Sequence, residues 1–312
     1  MRRGLIVPLL LVAACAAHAK TTSTYRWVEP SVRPALTRTE VAGAAIGGDI
    51  YVIGGFVPPN RTTAAVERLR DGRWKRVRSL PVALNHTAAV GYRGHVYVVG
   101  GYASPDGLTQ AVGTLYRFDP KRNRWTRLPD MPTARAALAV GVVRGRLYAA
   151  GGSDGKTPMA SLEVYDIAKR RWSRGSSLSV PREHLGGAVA RGRFWAVAGR
   201  NGSGNLAIVE GYDPRARKWT RLPDIPKERG GNGAAKLGDG IVGIGGEEGA
   251  GTIAQVDRYD FATRKWQRLD PMPTPRHGLA VVPSGGRVYV VSGGPQPGFA
   301  FSNAVEVLAP RG

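Results

Sequence analysis

Hydrophobic and polar residues alternate along this chain in short runs, with a period of two rather than the period of a helix. The clearest runs combine valine, isoleucine and tyrosine and end in small residues, as at positions 49–55, 95–101 and 287–294. A second run precedes each of them across a tight turn such as Arg93-Gly94. Alternation among β-branched and aromatic residues is typical of strands. The pattern therefore predicts many short antiparallel strands.

Two signals return six times at intervals of 46–51 residues. The first is a pair of small residues: Gly54-Gly55, Gly100-Gly101, Gly151-Gly152, Ala198-Gly199, Gly245-Gly246 and Gly293-Gly294. The second is a tryptophan: Trp27, Trp74, Trp125, Trp172, Trp219 and Trp266. A fixed period of this length in a glycine-rich chain indicates a propeller or a solenoid.

One period reads as a four-stranded antiparallel meander, with an aromatic residue seven positions before the tryptophan that we expect to stack beside it. The last period, from about residue 274 to residue 308, holds only three strands, while residues 25–28 form an unpaired fourth strand at the other end. We expect this N-terminal strand to complete the last blade, because pairing removes two open edges. The prediction is one domain over residues 20–312.

These features resemble the kelch repeat, in which a double glycine closes strand two, a tyrosine closes strand three and a tryptophan lies in strand four. The resemblance covers about residues 25–308. Ala198 departs from the pattern, and so does the absence of a Tyr–Trp pair after Gly294. The resemblance implies an all-β, six-bladed kelch-type β-propeller with four-stranded antiparallel blades.

Residues 1–19 have the form of an export signal, a basic start followed by a short apolar stretch. Two cleavage sites stay open. Ala17-His18-Ala19 fits ordinary cleavage before Lys20, and Val12-Ala13-Ala14-Cys15 resembles a lipobox. The second would lipidate Cys15 and tether the protein to a membrane. Either predicts an exported protein, periplasmic, secreted or lipid-anchored in a bacterial envelope.

The chain carries 45 Lys and Arg against 23 Asp and Glu, a formal net charge of +22. Many of the basic residues fall in the turns between strands one and two and between strands three and four, which predicts a basic face. Exposed aromatic residues for base stacking do not accompany them, so no specific nucleic-acid partner is expected. The single cysteine excludes an internal disulfide and, because it lies in the leader, a copper-radical site like that of galactose oxidase.

Five arginines recur 16 or 17 positions before the small-residue pairs, with Leu84 in the second repeat: Arg38, Arg135, Arg182, Arg229 and Arg276. Such repetition favours a structural role, and we expect ion pairs between neighbouring blades. A second set follows each tryptophan by two: Arg76, Arg127, Arg174, Arg221 and Arg268. We expect this set to pair with strand-three acids such as Glu67, Glu163, Glu210 and Asp257.

Residues that break the repeat on one face are the candidates for ligand binding: Tyr102, Asn85, His86, Glu183, His184, Arg200, Asn201, Glu247 and His277. Three are histidines, from blades two, four and six, which raises the question of a metal on the axis. Loops of alternate blades are expected to lie well apart, so the prediction is no metal and no cofactor. Thr39-Glu40 occupies the corresponding loop of blade one.

Two functions remain open. One is a monomeric, non-catalytic module that binds a protein or an anionic carbohydrate or envelope polymer through the face formed by the loops between strands two and three and between strands four and one. The other is an isomerase acting on an acidic sugar, similar to the exported bacterial kelch N-acetylneuraminate epimerase. In that case a glutamate would move a proton while arginines hold the sugar carboxylate. No residue-level motif matches that enzyme, so no catalytic residue is assigned.

Overall fold

A computed structural model of the protein describes residues 24–311. The predicted export signal and Cys15 lie outside the described residues. Within residues 24–311, no helix is long and apolar enough to cross a bilayer. The described chain forms six four-stranded antiparallel sheets, which are the six predicted blades.

The N-terminal strand is β1 (Tyr25–Val28). Blade 1 follows with β2 (Ala42–Ile46), β3 (Asp49–Ile53), the short pair β4 (Phe56–Val57) and β5 (Arg61–Thr62), β6 (Val66–Arg70) and β7 (Arg73–Val77). Blade 2 contains β8 (Ala88–Tyr92), β9 (His95–Val99), β10 (Leu115–Asp119) and β11 (Arg124–Leu128). Blade 3 contains β12 (Ala139–Val143), β13 (Arg146–Ala150), β14 (Leu162–Asp166) and β15 (Arg171–Arg174).

Blade 4 contains β16 (Gly186–Ala190), β17 (Arg193–Val197), the short pair β18 (Arg200–Asn201) and β19 (Gly204–Asn205), β20 (Val209–Asp213) and β21 (Lys218–Arg221). Blade 5 contains β22 (Gly233–Lys236), β23 (Gly240–Ile244), the short pair β24 (Glu247–Glu248) and β25 (Gly251–Thr252), β26 (Asp257–Asp260) and β27 (Lys265–Arg268). Blade 6 contains β28 (Ala280–Ser284), β29 (Arg287–Val291) and β30 (Val305–Pro310).

The predicted closure by the N-terminal strand is confirmed, because β1 pairs antiparallel with β30 and becomes the fourth strand of blade 6. Trp27 then takes the place that the other repeat tryptophans have in their blades. Its Nε1 donates to Asp270 O at the end of blade 5, as Trp266 Nε1 donates to Pro223 O at the end of blade 4. Each such bond fastens the outer strand of one blade to the blade before it.

The predicted aromatic pairs are also confirmed. Ring centroids lie 4.8 Å apart for Phe118 and Trp125 and 5.1 Å apart for Tyr165 and Trp172. The members of each pair are directly opposite across strands three and four of a blade. Pairs at this separation stabilise beyond the area they bury, by about 0.5–1.5 kcal/mol each. The aromatic repeat therefore holds the outer half of each blade together.

The register of the last glycine pair differs from the prediction. In the earlier blades the pair lies at positive φ, for example +66° at Gly151 and +95° at Gly152. In blade 6 the matching angles belong to Ser292 (+58°) and Gly293 (+101°), not to Gly293 and Gly294. With this correction Arg276 precedes its pair by the same 16 positions as the other four arginines. The first position accepts Ser or Ala, because its φ lies in the left-handed region that other residues can reach.

The five recurring arginines, called the arginine ring below, are completely buried, in agreement with a structural role. Their partners were predicted wrongly. Each pairs with a strand-three carboxylate of the blade that its own loop enters, at 2.7–3.3 Å: Arg38–Glu67, Arg135–Glu163, Arg182–Glu210, Arg229–Asp257 and Arg276–Glu306. Blade 2 has neither member, because Leu84 and Tyr116 occupy the two positions and are also buried.

Four arginines of the second set lie opposite these acids in strand register, and the fifth, Arg127, lies opposite Tyr116. All five are exposed. Arg221 pairs instead with Asp224, and Arg127 with Asp130. Among the described residues, Arg268 keeps a contact with its predicted partner, 3.5 Å from Asp257 Oδ1. A buried carboxylate needs a buried cation, and the ring arginines fill that need first.

Candidate functional site at the propeller axis

Six residues, one from each loop between strand four and the next strand one, form a ring of backbone around the propeller axis. Each lies two positions after the ring arginine or its replacement Leu84. Five N–H to C=O hydrogen bonds of 2.8–3.1 Å link successive members, and Val41 N closes the ring by donating to Gly278 O at 3.1 Å. All six have φ between +49° and +67°: Glu40, His86, Ala137, His184, Gly231 and Gly278.

Left-handed backbone suits glycine, and blades 5 and 6 use glycine there. Glutamate and histidine at such positions are uncommon and carry a cost in backbone energy. Glu40, His86 and His184 all have this backbone conformation, and their side chains lie close together at the axis. Positions that combine strain with ionisable side chains are concentrated at functional sites.

Glu40 lies at the centre of this arrangement. Its Oε2 is 3.1 Å from His86 Nε2, and its Oε1 is 3.4 Å from His277 Nε2. The rings of His86 and His184 meet edge to face with centroids 4.8 Å apart. A cavity of about 80 Å³ opens beside Glu40, His86 and His184.

Arg200 covers the cluster from the loop between strands two and three of blade 4. Its Nε is 3.3 Å from Glu183 Oε1, its Nη1 is 2.5 Å from Glu247 Oε1, and its Nη2 is 3.2 Å from His184 Nε2. Antiparallel bridges Glu183–Arg200 and Gly230–Glu247 align these loops. The side chain of Arg200 stays 31% exposed. We call Glu40, His86, Glu183, His184, Arg200, Glu247 and His277 the axial cluster.

Burial and charge move the protonation equilibria of this cluster in opposite directions. Burial lowers the pKa of His86 to about 4, because the neighbouring Glu40 only partly offsets desolvation of the imidazolium. Burial acts to raise the pKa of Glu183, but the hydrogen bond to His184 and the charge of Arg200 outweigh it and hold that pKa at about 2. The pKa of Glu40 is likewise held at about 2, against burial, by the surrounding histidines and Arg200.

The structure brings six of the nine predicted binding residues together on the axis: His86, Glu183, His184, Arg200, Glu247 and His277. Asn85 and Tyr102 are buried beneath them and support His86, with the Tyr102 and His86 ring centroids 5.6 Å apart. Burial raises the pKa of Tyr102 to about 12. Asn201 lies away from the axis, where its Nδ2 donates to Pro181 O.

Two points of the sequence reasoning need correction. The loop histidines of alternate blades are not well apart, since His86 and His184 are in ring contact. Glu40, which joins the histidines, was not among the predicted binding residues. Its signal was present in the repeat, because Glu40, His86 and His184 hold the same position relative to the arginine ring.

The opposite face, formed by the turns between strands one and two and between strands three and four, contains a groove of about 430 Å³ between blades 3 and 4. Five cationic residues and Asp166 are among the residues that line it, together with Trp172 and two tyrosines. The cations are Arg146, Lys169, Arg171, Arg174 and Arg217. Part of the predicted basic face is therefore concave.

Together, the six closed blades, the double-glycine turns and the Tyr–Trp pairs define a six-bladed kelch-type propeller with a charged axial cluster. A family model described as the KLHDC2/KLHL20/DRC7 Kelch-repeats domain matches residues 85–294, and a Kelch motif matches residues 37–81. The first match covers more than half of the chain. The chain belongs to the kelch-repeat family.

Curated relatives agree with this assignment. The chain is 27% identical to human Kelch-like protein 35 over 161 residues, 49% of this chain and 24% of that protein. It is 30% identical to Kelch-like protein terF of Aspergillus terreus over 162 residues, 46% of this chain and 35% of that protein. The matched part thus spans about a quarter to a third of these relatives.

A solved structure described as "Structure of YjhT" superposes with a TM-score of 0.72 at 16% identity, covering 88% of this chain and 96% of that one. At this identity the likeness establishes the fold alone.

Proposed function

We propose that this kelch propeller is a protein-interaction module and that its partner docks on the loop face, over the axial cluster. Kelch domains commonly serve as protein-interaction modules. The observation that carries the proposal is the partly exposed Arg200 near the axis, with exposed apolar residues on the same face. Leu108 and Phe299, in the second-to-third-strand loops of blades 2 and 6, are 41% and 49% exposed.

These apolar residues belong to the same surface as the axial cluster. Phe299 packs on Phe56 with ring centroids 5.2 Å apart, and the adjacent Gly298 N donates to Glu247 Oε2 at 3.4 Å. On the other side of blade 1, Thr62 N donates to Pro105 O of the loop that carries Leu108. Aromatic and arginine side chains on one surface are typical anchors of protein interfaces.

Charge supports a protein partner over an anionic carbohydrate at this position. Three carboxylates, Glu40, Glu183 and Glu247, surround the single guanidinium of Arg200, which they already neutralise. Proton transfer on a sugar would need a carboxylate whose pKa lies near the working pH, whereas that of Glu183 is held at about 2. The sugar-isomerase alternative therefore gains no support.

We place the module outside the cytoplasm because of its leader-like residues 1–19. An anionic envelope polymer remains a second partner class, and the groove between blades 3 and 4 is the observation that favours it. Both partners could bind at once, since the two surfaces lie on opposite faces.

The docking proposal is tested with a phage-displayed random peptide library selected on the parent propeller. Selected peptides are measured against Arg200→Ala and Phe299→Ala, which should weaken binding by at least about tenfold because anchor residues dominate interface energy. The matched control is Arg122→Ala, an arginine that is 81% exposed on the opposite face and should change nothing. Peptides that bind all three variants like the parent would refute the proposal.

The polymer candidate has its own control. Replacing Lys169, Arg171 and Arg217 with Gln should lower the salt concentration that elutes the protein from immobilised heparin. Replacing Arg73, Lys75 and Arg264 with Gln removes the same charge from other blades. Equal shifts for both triple variants would mean that net charge, not the groove, governs binding.

A further inference from the structure

Hydrogen bonds below the axis fix the orientation of the Asn85 amide. Thr62 Oγ1 donates to Ser104 O, so it can only accept from Asn85 Nδ2, at 2.8 Å. Gly107 O, 3.3 Å from the same Nδ2, is also an acceptor. The amide nitrogen must therefore face these two groups, and Asn85 Oδ1 must face His86 Nδ1 at 2.7 Å.

This orientation decides the tautomer of His86. Because Asn85 Oδ1 can only accept, His86 Nδ1 carries the hydrogen, and the neutral ring then has its lone pair on Nε2. That lone pair faces Glu40 Oε2 at 3.1 Å. Two electron pairs at this distance repel unless a cation lies between them.

His277 repeats the arrangement on the other oxygen of Glu40. Its Nδ1 is 3.2 Å from Gly294 O, an acceptor, so Nδ1 carries the hydrogen there as well. Its Nε2 is 3.4 Å from Glu40 Oε1. In His184, Nδ1 lies 3.1 Å from Glu183 Oε1, which turns Nε2 toward Arg200. His86 and His277 thus have Nδ1 hydrogen-bonded to an oxygen acceptor, and His184 Nδ1 lies 3.1 Å from a carboxylate oxygen.

Histidines that ligate metals show this same division of roles: one ring nitrogen donates to a carboxylate or carbonyl, and the other binds the ion. A proton could also separate Glu40 Oε2 from His86 Nε2, and titration with Zn²⁺ distinguishes the two arrangements. Arg200, the nearest cation, is already paired with Glu183, Glu247 and His184.

We propose that the propeller axis binds a divalent transition-metal ion through Glu40, His86 and His184. One ligand atom from each of the three lies within 4.8 Å of the others. A tetrahedral site with bonds of about 2.0–2.1 Å brings its ligands to roughly 3.3 Å, so small side-chain rotations complete it. Imidazole with carboxylate selects ions of the zinc and iron class rather than magnesium or calcium.

The adjoining cavity of about 80 Å³ has room for the ion and a water molecule. Three protein ligands beside open space are typical of a site that keeps one coordination position free. Arg200 releases His184 Nε2 when the ion binds and keeps its two glutamates. This proposal is independent of the docking proposal, because the metal ligands lie below the exposed residues that contact a partner.

The test is titration of EDTA-stripped, full-length protein with Zn²⁺ by calorimetry and with Co²⁺ by visible absorption, which reports coordination directly. We expect one ion per chain. Glu40→Gln, His86→Gln and His184→Gln should each weaken binding by at least about tenfold, and Asn85→Ala by roughly tenfold through loss of orientation. The matched control, His95→Gln, changes a histidine of blade 2 whose Nδ1 bonds Arg93 O on the exposed opposite face and should not alter binding.

Arg200→Ala separates this proposal from the docking proposal, since it should weaken peptide binding but leave Zn²⁺ binding equal or tighter. His86→Gly and His184→Gly guard against misfolding, because Gly231 and Gly278 already occupy equivalent positions. Absence of saturable binding to the parent would overturn the metal site. Equal losses of Zn²⁺ affinity for His95→Gln and His86→Gln would also overturn it. So would unchanged Zn²⁺ affinity when Glu40, His86 and His184 are replaced together.

Discussion

Several members of the axial cluster lie one or two residues after a ring arginine in the same loop, yet the two sets of residues obey different rules. Each ring arginine is fully buried, and each has its own carboxylate in its own blade. The axial cluster joins residues of several blades in one network of contacts. Within it, Arg200 contacts Glu183, Glu247 and His184.

The difference teaches how to interpret charge in a repeat protein. A charged pair that recurs in successive blades stabilises the blade that contains it, because every copy has the same local partner. A charged residue that occurs once lacks this recurring partner, and Arg200 of blade 4 reaches beyond its own blade to Glu247 of blade 5. Repetition therefore marks stability, and departure from repetition marks the candidate site.

The largest expected effect follows from removing one ring arginine. Arg229 donates to Asp257 at 2.7 Å and to the carbonyl oxygens of Lys227, Gly245 and Gln255. Arg229→Ala leaves the fully buried carboxylate of Asp257 without its buried cation and should cost about 3–5 kcal/mol of unfolding free energy. Urea denaturation followed by tryptophan fluorescence measures it.

Arg268→Ala is the matched control, because Arg268 touches the same Asp257 at 3.5 Å but is 63% exposed. Exposed pairs contribute on the order of 0.2–1 kcal/mol. If both variants lost the same small amount of stability, the ring would not be the structural element that its burial indicates.

The fold was predictable from sequence because six registered copies constrain one another. The spacing of glycine pairs and tryptophans defined the blades, and the three-stranded last repeat required Trp27 and its strand to close the ring. An error of one residue at Gly293-Gly294 entered only because three small residues follow one another there.

The site was less predictable, because strand register alone does not determine which charged side chain a residue pairs with. Arg76 is the cross-strand neighbour of Glu67, but Glu67 points inward to Arg38. The meeting of His86 with His184 depends on left-handed backbone that aims both side chains at the axis. The repeat held a sufficient clue to Glu40, its alignment with these histidines, but sequence alone did not show that the position faces inward.

Blade 2 provides a second way to examine the comparison, since Leu84 and Tyr116 stand where other blades have arginine and acid. Arg182→Leu with Glu210→Tyr copies that solution into blade 4. The double variant should stay within about 1 kcal/mol of the parent, because an apolar pair of similar volume can replace a buried ion pair. Each single variant leaves one buried charge without its partner. It should therefore lose about 3–5 kcal/mol of unfolding free energy.

A double-mutant cycle by chemical denaturation gives the coupling between positions 182 and 210. Strong coupling would make the ring a set of interchangeable local pairs. A double variant as unstable as the sum of its singles would instead mean that the arginine supports the loop through its carbonyl contacts, independently of the acid.

The smallest expected effect belongs to the axial cluster. His184→Gly relieves left-handed strain, which glycine does not feel, but adds freedom to the unfolded chain and loses the contact with His86. These contributions oppose one another, so in EDTA the unfolding free energy should change by no more than about 1 kcal/mol.

Added Zn²⁺ should then produce a difference in stability between the parent and His184→Gly. An ion at a hundred times its Kd stabilises the parent by about 2.7 kcal/mol, and the glycine variant should gain little. A loss of several kcal/mol in EDTA would instead make His184 a structural residue like the ring arginines, and position in the repeat would no longer distinguish the two regions.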